Sequence, residues 1–83
     1  MISGKTKSGF EFTCDKEILD DWDFLEALTA GTAKEEIRAA RMLLGDEQLA
    51  QLKEHVRSTG GRASFSAMDR ELGEIIQAVT GKN

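Results

Sequence analysis

Few residues in this 83-residue chain are equipped for covalent or metal chemistry: one histidine, His55, one cysteine, Cys14, no tyrosine, and serines at turn or cap positions. Nucleophilic catalysis needs a hydroxyl or thiol beside a base that a third group orients. His55 lies among Lys53, Glu54 and Arg57 and reads as a solvated surface imidazole, with no nucleophile beside it in the sequence. Cys14 falls on the apolar side of an alternating segment and reads as a small buried hydrophobe. A lone Cys forms no internal disulfide, and one Cys with one His cannot build a structural zinc site. The expectation is a non-enzyme with no cofactor, folded in a reducing setting.

Carboxylates are the other concentrated chemistry. The run from Asp15 to Glu26 holds Glu17, Asp20, Asp21 and Asp23 as well. Calcium loops alternate their ligands, with a glycine at the bend and a glutamate at the end. Here Asp20-Asp21-Trp22-Asp23 lies inside a helical stripe, so a solvated acidic face is expected, with docking to a basic partner as the second reading. Ser64 and Ser66 follow Ala63 and Phe65 late in the chain, unlike the modified serine of acyl carrier proteins, which follows an aspartate at the start of a mid-chain helix. Gly60-Gly61-Arg62 reads as a helix stop rather than a phosphate nest.

The net charge of −4 sits entirely in residues 1–30, where Lys5, Lys7 and Lys16 face seven acids. Residues 31–83 balance. Nucleic-acid binders draw most of their affinity from neutralising phosphates, so an acidic lobe without a basic patch argues against that class. No apolar run approaches the roughly 20 residues of a membrane span, and the opening Met1-Ile2-Ser3-Gly4-Lys5 lacks a signal peptide's apolar core. A cytoplasmic location is expected.

The elements that must position these residues follow from periodicity and caps. Gly9-Phe10-Glu11-Phe12-Thr13-Cys14 alternates, which places Phe10, Phe12 and Cys14 on one face of a strand. The turn-like Lys5-Thr6-Lys7-Ser8-Gly9 lets Ile2 to Lys5 pair back as a hairpin, whose phenylalanines must rest on the helices or on another molecule. Asp15 is a candidate N-cap, with the regular helix starting nearer Asp20, and Ile18, Trp22, Leu25 and Leu28 form an apolar stripe that Gly31 ends. Thr32 and Glu35 spell a capping box for a second helix with Ile37, Ala40, Leu43 and Leu44 on one face. Gly45-Asp46 makes a tight corner, Asp46 caps a third helix carrying Leu49, Leu52 and Val56, and Ser58 to Arg62 is the clearest break. A last helix from Ser64 or Ser66 carries Phe65, Met68, Leu72, Ile75, Ile76 and Val79 as far as Gly81. The expected fold is mainly α: one domain over residues 1–83, with an extended or hairpin segment at 1–14, about four helices in 15–83, and a break near 58–63.

Taken in order, Gly9-Phe10-Glu11-Phe12, Leu19-Asp20-Asp21-Trp22-Asp23-Phe24-Leu25-Glu26, Leu43-Leu44-Gly45-Asp46-Glu47-Gln48 and Leu52-Lys53-Glu54-His55-Val56-Arg57 form a familiar string. It resembles the small tail assembly chaperone proteins of long-tailed, siphovirus-like bacteriophages, over residues 9–80 and including the Gly61-Arg62 turn before the final amphipathic helix. The resemblance implies a helper in the host cytoplasm that coats the tape measure protein during tail assembly and stays out of the virion. It also implies, as in many members, a longer frameshifted form that recruits the major tail protein. The codons of the final Gly81-Lys82-Asn83 can include the A-rich runs such frameshifts use.

So short a chain buries only about 60% of its unfolded surface, which leaves apolar area for a client or for a second copy. The residues assigned to protein contact are Phe10, Phe12, Trp22, Leu25, Phe65, Met68, Leu72 and Ile76, drawn from the strand, the first helix and the last helix. A reading from a different class is a small acidic regulator that binds a host or phage factor, as a protein mimic of DNA, through Asp20, Asp21 and Asp23.

Overall fold

A computed structural model describes residues 1–81; Lys82 and Asn83, part of the ending read above for frameshifting, lie outside the described residues. Strand β1 (Ile2–Lys5) pairs antiparallel with β2 (Glu11–Cys14) in the register Ile2 to Cys14 and Gly4 to Phe12. The turn between them is closed by Thr6, whose N–H donates to the Phe10 carbonyl at 2.9 Å and whose hydroxyl accepts the Phe10 N–H at 3.2 Å. Gly4 is required opposite Phe12, because a Cβ there would lie 2.7 Å from the tip of the phenylalanine ring. The ring covers the bare glycine, and both gain: the strand keeps its pairing and the ring stays buried.

After the hairpin come a short 3-10 helix (Lys16–Asp20), α1 (Trp22–Thr29), α2 (Ala33–Gly60) and α3 (Phe65–Thr80). Every start carries a side-chain cap of the type that accepts an orphan N–H. Asp15 accepts from Glu17 at 3.0 Å, Asp21 from Phe24 at 3.0 Å, Thr32 from Glu35 at 3.3 Å and Ser64 from Ala67 at 3.2 Å. Both candidate starts of the first helix are therefore used, one for each of two successive pieces. The reciprocal half of the expected capping box gives way to an ion pair, since the Glu35 carboxylate binds Arg38 at 2.9 Å.

The mainly helical class and the hairpin match expectation, while the helix number changes from about four to three. The expected second and third helices join in α2, which changes course at Gly45 (φ 82°, ψ 163°), a backbone state only glycine adopts without strain. Asp46, expected to cap, instead holds the Nε of Arg41 at 2.8 Å across this break. Beside the break the side chain of Gln48 donates to the Leu44 carbonyl at 2.9 Å.

The apolar core gathers Phe10, Phe12 and Cys14 from the hairpin, Phe24 and Ala27 from α1, seven residues of α2 from Ala39 to Val56, and Leu72, Ile75 and Val79 from α3. The expected stripe of α1 is corrected here. Ile18, Trp22, Leu25 and Leu28 share a face only if one helix runs through all four, but Asp21 is extended (φ −88°, ψ 120°) and restarts the phase. The inward face becomes Phe24, Ala27 and Leu28, and Trp22, at the first position of α1, is 73% exposed. In α2, Ile37 likewise leaves the core and Ala39 enters it.

Candidate functional site

The eight residues assigned to protein contact divide into two groups. Phe10, Phe12 and Leu72 are buried in the core; the first two rest on the chain's own helices, and Leu72 also lines both cavities of the groove described below. Trp22, Leu25 and Phe65 are exposed, and Met68 and Ile76 are half-buried. Cys14 is buried, and burial pushes its thiol pKa up, which keeps it protonated and unreactive.

Polar side chains lock the hairpin to the helices. Gln48 of α2 donates to the Thr13 carbonyl at 2.8 Å and accepts the Thr13 N–H at 2.8 Å, so its amide stands in for a neighbouring strand. At the turn, Ser8 Oγ donates to Glu71 Oε2 at 2.8 Å and lies 2.9 Å from His55 Nε2. The Lys7 N–H donates to Glu74 at 2.8 Å. His55, expected to be solvated, is half-buried and stacks at a tilt on Phe10, with ring centroids 5.6 Å apart.

Serine, histidine and glutamate converge here, yet their bonding order is that of a clamp. The carboxylate takes the Ser8 proton directly, which leaves Nε2–H of His55 as donor to Ser8 Oγ. A base positioned for nucleophilic attack would have to accept that proton, with the carboxylate behind the imidazole. Glu71 is buried, and its Oε1 has no partner among the described residues. Sequence reading missed the clamp because its members are 47 and 63 residues apart.

A separate groove lies between α2 and α3. Two cavities of about 260 and 270 Å³ open along it. The first is walled by Phe24 and Leu28 of α1 together with Ala39, Leu43 and Ile76. The second is walled by Ile37, Leu49, Ala63, Phe65 and Met68. Ile37 is 47% and Phe65 50% exposed, a cost that water imposes on any unpartnered apolar side chain of this size.

Glu36 of α2 and Asp69 of α3 line both cavities. The hydrogen bond between these two carboxyl groups, aided by burial and by the charge of Asp69, raises the Glu36 pKa to about 7. Two carboxylates cannot share a hydrogen bond unless one keeps its proton. Arg41 and Lys53 reach the second cavity, and Arg41 is already engaged by Asp46. The three ion pairs among the described residues lie within α2, so none joins α2 to α3. Ile37, Glu36 and Asp69 were absent from the sequence-based assignment; their apolar-next-to-acid pattern is common on solvated helix faces.

Asp15 and Asp21 of the acidic run each spend one carboxylate oxygen on a helix start and stay exposed. Among the described residues no helix is long and apolar enough to cross a membrane, and no three carboxylate, imidazole or thiol groups converge as metal ligands. No protein-family model, curated protein or solved structure matches the chain.

Proposed function

We propose that this chain is a tail assembly chaperone of the long-tailed bacteriophage type: a small helper that binds segments of the tape measure protein in the host cytoplasm and leaves before the virion is complete. The observation that carries this reading is the apolar groove between α2 and α3, rimmed by exposed Ile37 and Phe65. Exposed Trp22 and Leu25 on α1 add further apolar surface. Long helical clients aggregate through apolar stripes, and a groove of this shape accepts one such stripe at a time. Recruitment of the major tail protein belongs to a longer form of the chain in this reading.

The test is co-expression with the tape measure protein of the same genome. Soluble yield of the tape measure protein should rise and the two should co-purify. Trp22, the single tryptophan, should then shift its emission to shorter wavelength as the client covers it. Unchanged solubility with no co-purification would discard the proposal. A Phe65→Ser/Ile37→Ser variant should retain its fold and lose the client.

A further inference from the structure

Gly45 is the one residue inside α2 (Ala33–Gly60) with non-helical torsions, φ 82° and ψ 163°. Helix runs up to it and away from it, so turning this single residue into the helical region would make α2 one straight rod. In a straight helix of 3.6 residues per turn, Ala39, Ala40, Leu43 and Leu44 would point to one side and Leu49, Leu52 and Val56 to the opposite side. All of them are buried in the bent form, because the glycine brings both sets onto one core. A straight α2 therefore needs a core on each side, and a single chain builds only one.

The contacts that close the fold cross the same point. Among the described residues every long-range side-chain hydrogen bond joins a residue before Gly45 to one after it: Lys7 to Glu74, Ser8 to His55 and to Glu71, and Thr13 to Gln48. Phe10 meets His55 across this division, and the groove draws Ala39 and Leu43 from one part and Leu72 and Ile76 from the other. The Arg41–Asp46 pair spans the bend, but both side chains are more than half exposed, so its loss costs little.

We propose that Gly45 is the hinge of a domain-swapped dimer, in which α2 straightens and residues 1–44 of one copy pack on residues 46–81 of a second copy. The occupant of each interface is fixed by the fold itself: the residues that close the monomer close the dimer, supplied by an identical chain. Two chains then complete two cores, one on each side of every straightened helix. A hinge this short invites such an exchange. The monomer prevails in dilute solution, since association costs translational and rotational freedom and glycine tolerates the bent state. The hinge stands independently of the chaperone reading; under that reading the dimer carries two re-formed grooves and grips one long client twice.

Gly45→Ala is the test. A Cβ at this position meets no atom within 4 Å, so the substitution acts through the backbone alone: alanine is strained at φ 82° and favoured in a helix. Two hinges change in each dimer, so the dimer dissociation constant should fall on the order of a thousandfold. Sedimentation should show a dimer with undiminished helical circular dichroism. Isotope-filtered NMR of mixed labelled and unlabelled chains should find the Phe10–His55 ring contact running between copies. A folded Gly45→Ala monomer at every concentration, or a dimer whose Phe10–His55 contact stays within one chain, would overturn the proposal. If the variant does not fold, the wild-type chain decides: refolded from urea at high protein concentration, it should yield the same contact between copies, and absence of that contact is equally fatal. Failure to co-purify with the tape measure protein would bear on the chaperone reading and leave the hinge untouched.

Discussion

The hairpin side and the groove side of this protein solve the same problem in opposite ways. Both bring two elements together over α2 and α3. On the hairpin side the apolar rings of Phe10 and Phe12 are covered, the strand edge at Thr13 is capped by Gln48, and Ser8 ties the turn to His55 and Glu71. On the groove side the helices approach through cavities, apolar Ile37 and Phe65 face water, and the polar contact across the gap is between two acids. A small domain can afford one loosely closed seam only if the other is tight, because its net stability is a small difference between large terms. The closed seam is therefore where the fold is held, and the open seam is where surface is available for a partner.

Truncating the enclosed core and the groove rim in turn should break that comparison most directly. Leu52→Ala or Ile75→Ala, both fully buried, should cost about 2–5 kcal/mol in urea unfolding, enough to unfold much of so small a protein. Ile37→Ala or Phe65→Ala should cost less than about 1 kcal/mol. Equal losses on the two sides would show that the groove is core after all.

Gly4→Ala tests the hairpin's own packing. The added methyl must displace the Phe12 ring, and a loss of about 1–3 kcal/mol is expected, with the two-stranded pairing weakened in amide exchange. The clamp is smaller still. Ser8→Ala and His55→Ala should each cost about 1 kcal/mol, and the double variant should cost less than the sum, as befits two members of one network. Strict additivity would mean that the Ser8–His55 contact contributes nothing.

The smallest effect concerns pH and has a definite sign. Glu36 holds its proton more firmly in the folded chain than at its ordinary value of 4.5, titrating at about 7. Its contribution to stability is complete below about pH 4.5 and is lost as pH rises through about 7. Glu36→Gln, which removes the titration, should raise the melting temperature at pH 8 by roughly a few degrees and flatten the decline between pH 5 and pH 8. An unchanged pH profile in that variant would mean that Asp69 does not face Glu36 in solution.

Much of the fold was legible from short-range chemistry. Phe12 and Cys14 do share the buried face of β2, with Phe10 buried just before it, and Leu49, Leu52 and Val56 repeat at helical spacing and are buried together. Thr32 was readable as a cap for the same reason, since a cap is satisfied within three residues, and of the two candidate starts Ser64 and Ser66 the structure uses Ser64. The candidate site was far less legible. Trp22 and Leu25, read as members of one stripe with Ile18 and Leu28, are exposed because the extended Asp21 reset the phase, and Phe65 kept its place on α3 as a half-exposed wall of the second cavity.

What the sequence by itself determined is the set of local elements: the hairpin, the positions where helices start, and the glycines at which they turn or stop. These depend on contacts within a few residues, so the same physics operates in the isolated segment and in the folded chain. Only the tertiary structure decided which apolar side chains are enclosed and which remain outside, and it placed Ser8 beside His55 and Glu36 beside Asp69. Enclosure depends on which surface arrives from elsewhere in the chain, and a repeat of apolar residues along one helix carries no information about whether a second surface exists to cover it.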